Sequence, residues 1–156
     1  MCEKKQKISL VGIGMGTALT MTAQAEEAVR SADCLIGARR MLEAVRDLDA
    51  AAGKPALAEY RGEEILSYIR SHPEYREIAV LLSGDTGFHS GSKTLGGLLG
   101  SELPECEIQM IPGIASVVYL AARLNTSWED AALVSLHGKD EDFIRTVSRN
   151  RKTFLL

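Results

Sequence analysis

Hydrophobic positions in this chain follow two alternating rhythms. Short runs rich in branched residues, at 8–13, 34–36, 78–83, 107–111 and 131–136, are separated by longer stretches in which apolar residues recur every three or four positions. This alternation predicts strands joined by crossover helices: an α/β fold with an open, mostly parallel five-stranded sheet and helices on both faces. Ala25, Ala28, Val29 and Ala32 form the buried stripe of a first helix, with Thr20 and Thr22 as its N-cap candidates. Met41, Leu42, Val45 and Leu48 stripe a second helix, which Gly53-Lys54-Pro55 breaks. Further helices are expected over 63–70, around Leu95, Leu98 and Leu99, over the Ala-rich 114–124, and over 141–148. The run Ile78-Ala79-Val80-Leu81-Leu82 has no polar alternation, as a strand covered on both faces should, and belongs at the centre of the sheet.

At 156 residues the chain is the size of one domain or slightly more, which excludes a multi-domain machine. Its net charge of −3 provides no field that would gather nucleic acid or an anionic membrane, so neither is expected as a partner. An anionic ligand would need a local basic cluster. Cys2, Cys34 and Cys106 are widely spaced, with no Cys-x-x-Cys pair and no histidine at ligand spacing, which predicts a reducing, cytoplasmic compartment and no metal site. The longest apolar run is far too short to span a membrane. Lys152-Thr153-Phe154-Leu155-Leu156 reads as the start of another strand. The expected organisation is therefore a domain over 1–138, followed at 139–156 by the start of a linker and of a second lobe that is largely missing.

Three strand-to-helix junctions could carry chemistry. Gly12-Ile13-Gly14-Met15-Gly16 leaves the first strand, and its amides, with the positive end of the following helix, are candidates to receive a ligand carboxylate. A dinucleotide fingerprint is incomplete here: Thr17 stands at the third glycine position, and no acid closes the second strand. Ser83-Gly84-Asp85-Thr86-Gly87-Phe88-His89-Ser90 follows the central strand, at the end of an open sheet where ligands bind. In Ile111-Pro112-Gly113-Ile114-Ala115-Ser116-Val117, small residues leave room for a flat ring system. His89 and His137 are the candidate proton acceptors, and the guanidinium groups of Arg39, Arg40 and Arg61 can pair bidentately with ligand carboxylates.

Together with Ile36-Gly37-Ala38-Arg39-Arg40-Met41-Leu42, Tyr60-Arg61-Gly62-Glu63-Glu64-Ile65 and Val134-Ser135-Leu136-His137-Gly138-Lys139, these junctions resemble the tetrapyrrole (corrin and porphyrin) methylases. Within that family the details are similar to the branch that acts on precorrin-6Y or cobalt-precorrin-7. The resemblance implies S-adenosylmethionine as cofactor, lying along Ser83, Gly84, Asp85 and Phe88 and against Ala115 and Ser116. It implies a macrocycle facing Gly14, Met15 and Gly16, with Arg39, Arg40 and Arg61 near its carboxylates, and a homodimer at full length. The implied reaction is methylation of carbon 5 of a cobalt-precorrin in cobalamin biosynthesis. The alternatives are a methylase of another tetrapyrrole or of diphthamide, and a nucleotide-binding module of a different class. Gly37 stands where the uroporphyrinogen-methylating branch tends to carry an acid, which argues against that substrate.

Overall fold

The computed structural model describes residues 5–136 and 143–156. Two compact units make it up, the first ending at Ala115 and the second running from Ser116 to Leu156.

In the first unit, strands β1 (Lys7–Gly12), β2 (Cys34–Gly37), β3 (Ala56–Ala58), β4 (Glu77–Leu82) and β5 (Glu107–Ile111) form a parallel sheet in the order β3-β2-β4-β1-β5. The two-residue period of the strands sorts the core into two layers. Ile8, Leu10, Cys34, Ile36, Ile78 and Val80 pack on one face with α3 (Gly62–Ser71) and α4 (Ser92–Glu102). Val11, Leu35, Ala79, Leu81 and Ile111 pack on the other with α1 (Ala23–Ser31) and α2 (Arg39–Val45). As expected, β4 is the middle strand, with Ile78, Ala79, Val80 and Leu81 all buried. Thr22 caps α1 by accepting the Ala25 N–H at 3.1 Å, whereas Thr20, the other cap candidate, is buried at the end of the preceding 3-10 turn.

This topology fixes where a ligand crevice can form. From β1 the chain departs over one face through α1, and from β4 it departs over the other through α4. Adjacent strands whose connections leave in opposite directions open a crevice at their carboxyl ends. The loops after β1 and β4 meet there.

The second unit holds α5 (Ser116–Arg123), β6 (Ala132–Val134), α6 (Phe143–Arg149) and β7 (Thr153–Leu155). The terminal apolar residues do form a strand, and β6 pairs with it in parallel, Ala132 opposite Thr153 and Val134 opposite Leu155. This corrects the expectation that 131–136 completes the five-stranded sheet; the fifth strand is β3, at its edge. Three residues long, with both alanines exposed and Pro55 before it, β3 has almost no apolar signal to read. Among the described residues no helix is long and apolar enough to cross a membrane.

Candidate functional site

Glycine lets the loops after β1, β4 and β5 touch backbone to backbone. A Cβ on Gly113 would stand 2.1 Å from the carbonyl oxygen of Gly84 and 2.6 Å from that of Gly12. Gly14 and Gly84, both at positive φ (+61° and +66°), form a reciprocal bridge: the Gly14 N–H donates to Gly84 O at 3.1 Å, and the Gly84 N–H to Gly14 O at 2.9 Å. Asp85 ties in the third loop, since Oδ1 accepts the Gly113 N–H at 3.0 Å while Oδ2 accepts the Gly87 N–H at 2.9 Å. The Thr86 hydroxyl donates to Ile111 O at 3.4 Å, and buried Ser92 donates to the carbonyl of Thr86. Gly84, Asp85 and the 111–113 turn are thereby held as one rigid floor.

The glycine turn after β1 has no free donor. The Ile13 N–H goes to Leu82 O at 2.9 Å, that of Gly14 to Gly84, that of Met15 to Thr20 Oγ1 at 3.1 Å, that of Gly16 to Ile13 O at 3.2 Å and that of Thr17 to Thr20 Oγ1 at 3.4 Å. An anion-binding loop works by pointing such amides at its ligand. Here they are directed inward, so they do not receive a ligand carboxylate, the role expected of them. A 3-10 turn, Ala18–Thr20, stands between the loop and α1, so the helix does not open directly on the glycines, and the dinucleotide reading weakens further. What Gly14, Met15 and Gly16 contribute is shape and the half-buried Met15 side chain.

Beside the floor, at the carboxyl ends of β2, β3 and β4, lies a cleft of about 160 Å³. Its lining brings Ser83 together with Gly37, Arg40, Glu59 and Tyr60. Among the described residues no group engages the Ser83 hydroxyl, and Arg39 and Arg40, both exposed at the start of α2, make no ion pair. Arg61 is differently placed: its Nη2 donates to Glu59 Oε2 at 2.7 Å and its Nε to Glu59 Oε1 at 3.2 Å, with Glu64 3.9 Å away. Those guanidinium bonds, joined by the amides of Tyr60 and Arg61, hold the Glu59 carboxyl down at about 2, far below the usual carboxylate range. Sequence reasoning gave no role to Glu59 or Tyr60. The available signal was an acid two residues before an arginine, since the strand that precedes it, β3, is not announced by the sequence.

The remaining candidates separate. Phe88 is half-buried and packs edge-on against the ring of His89, centroids 4.8 Å apart. His89 is exposed at φ 45°, and His137 lies outside the described residues. Ala115 is buried at the end of the first unit, and Ser116 is exposed at the start of α5 in the second. Burial pushes up the thiol pKa of both Cys34 and Cys106, which keeps them protonated and unsuited to nucleophilic work. Among the described residues no three His, Cys, Asp or Glu side chains gather as a metal-ligand set.

Comparison with known proteins places these features in a family. The family profile described as Tetrapyrrole (Corrin/Porphyrin) Methylases matches residues 7–156. The chain is 35% identical over 137 residues to the probable cobalt-precorrin-7 C(5)-methyltransferase of Methanocaldococcus jannaschii, covering 86% of this chain and 62% of that protein. It thus spans less than two thirds of that relative's length. The crystal structure of the precorrin-6Y methylase of Archaeoglobus fulgidus superposes with a TM-score of 0.56 at 31% identity, over 84% of this chain and 64% of that one. A uroporphyrin-III C-methyltransferase of Thermus thermophilus, solved with S-adenosyl homocysteine, shares the fold with a TM-score of 0.69 at 22% identity, over 96% of this chain and 69% of that one.

Proposed function

This chain belongs to the tetrapyrrole (corrin/porphyrin) methylases, and from that premise we propose that it serves S-adenosylmethionine-dependent methylation of carbon 5 of a cobalt-precorrin in cobalamin biosynthesis. The carrying observation is the rigid floor at the carboxyl ends of the central strands, where Asp85 locks Gly113 and Gly87 in place. The carbon-5 assignment draws on the Methanocaldococcus relative's printed activity.

The residues present suit the cofactor in charge and shape. Each Asp85 oxygen, after accepting one amide, retains a lone pair for a cationic or hydroxylated ligand group. Ser83 offers a hydroxyl, Phe88 an apolar ring and Ala115 a small side chain. We assign Ser83, Gly84, Asp85, Phe88 and Ala115 to cofactor binding. Gly14, Met15, Gly16, Arg39 and Arg40 are assigned to the substrate side, with Arg61 acting there through Glu59.

Bound S-adenosylmethionine supplies an electrophilic methyl group on a sulfonium whose leaving group departs neutral. The protein therefore needs no strong acid, and its task is positioning. Holding donor and acceptor in near-attack contact contributes on the order of 7 to 11 kcal/mol. The Asp85 tie serves that end by fixing two loops at once. A base is required only to collect the proton released from the acceptor, for which exposed His89 stands at the loop's end.

Calorimetric titration with S-adenosylhomocysteine and, separately, with NAD tests this reading. The homocysteine ligand is expected to bind and NAD to fail, because the glycine turn has no amide left for a pyrophosphate. Binding of NAD in preference to S-adenosylhomocysteine would overturn the reading in favour of a nucleotide-binding module.

A further inference from the structure

At the mouth of β3 a large aromatic side chain stands in solvent on a tightly held backbone. Tyr60 is 77% exposed. Its N–H donates to Glu59 Oε1 at 2.8 Å, the Arg61 N–H donates to the same oxygen at 2.9 Å, and the Arg61 guanidinium closes the hook from the other side. The Glu59 N–H in turn donates to Gly37 O at 3.0 Å, which fastens the hook to β2. Single exposed aromatics are common and by themselves decide nothing.

The cleft around this one does. Tyr60 lines it with Arg40 and Ser83, beside the half-buried apolar side chains of Ala38, Met41 and Leu82. The Glu59 and Arg61 charges cancel within their own pair, which leaves Arg40 as the cleft's uncompensated charge among the described residues. A complementary ligand is flat and apolar on one face, carries carboxylates at its edge, and accepts a hydrogen bond. That description fits a carboxylated conjugated macrocycle.

Building on the function proposed above, we infer that Tyr60 contacts the substrate: the macrocycle lies against its ring, Arg40 takes one edge carboxylate, and Glu59 is a positioning residue that acts through Tyr60. The test is an absorption titration of the chain with cobyrinic acid, a corrin bearing several carboxylates, run beside calorimetry with S-adenosylhomocysteine. Tyr60→Ala is expected to weaken corrin binding roughly tenfold, the scale of one lost stacking contact, and to leave the homocysteine affinity unchanged. Tyr60→Phe keeps the ring and is expected to recover most of the loss. Arg40→Ala is expected to weaken corrin binding and flatten its salt dependence. Glu59→Gln is expected to weaken it in the native background but not in the Tyr60→Ala background, a coupling that a merely structural role would not produce. Corrin binding by the native chain that is equally tight in Tyr60→Ala overturns this inference and leaves the proposed function standing. Failure of the native chain to bind the corrin at all overturns the proposed substrate, and this inference with it.

Discussion

The turn after β1 and the hook after β3 both sit at carboxyl ends of the same sheet, yet they handle their polar groups in opposite ways. In the turn, five consecutive amides from Ile13 to Thr17 find acceptors inside the protein, two of them on the single hydroxyl of Thr20. In the hook, a carboxylate gathers the local amides and one guanidinium, while Arg40 and Ser83 beside it have no partner among the described residues and Tyr60 is held in solvent. A glycine-rich sequence therefore does not identify the ligand-facing loop. The groups left without internal partners do.

The largest expected effect comes from forcing the touching loops apart. Gly113→Ala places a methyl group inside contact distance of two carbonyl oxygens, and overpacking of this kind should cost about 3 kcal/mol in urea unfolding. An unchanged midpoint would mean that the loops are not in contact. Next comes Thr20→Val, which preserves volume but strands the Met15 and Thr17 amides in a partly buried turn; a loss of about 2 kcal/mol is expected in the same assay. Were those amides free for ligand, the substitution would instead change affinity and leave stability alone.

The smallest effect is an acid limb. Glu59 titrates at about 2 in the folded chain and near its ordinary 4.5 when unfolded, so its pKa is depressed by folding. The stabilisation it contributes is then complete above about pH 4.5 and is lost as pH falls through about 2. Compared with Glu59→Gln, the native chain should hold a constant stability advantage above pH 4.5 that shrinks steadily below it. A difference independent of pH from 2 to 6 would show that the hook does not form.

The core was legible in the sequence because strand residues alternate and helix residues stripe. Ile78 to Leu82 announced a central strand by lacking polar positions, and the burial of Ile78 to Leu81 bears that out. The edge strand Ala56–Ala58 was not legible, because a strand paired on one side can be short and weakly apolar. Likewise, residues 132–134 announce a strand but not that their partner lies about twenty positions later, since pairing is a long-range choice that a local pattern does not encode. In the candidate site, the loop after β4 could be picked out from its two glycines and its aspartate. The inward direction of the β1 amides could not, because it depends on where the Thr20 hydroxyl points. Nor could the commitment of Arg61, whose exposed position in sequence looks the same as that of Arg40.

Amide chemical-shift mapping by NMR with S-adenosylhomocysteine separates the two loops in one experiment. Shifts at residues 83–88 and 113–115, with the amides of 13–17 unmoved, are the expected result. Movement concentrated at 13–17, with 83–88 silent, would contradict the placement of the ligand floor at the loop after β4.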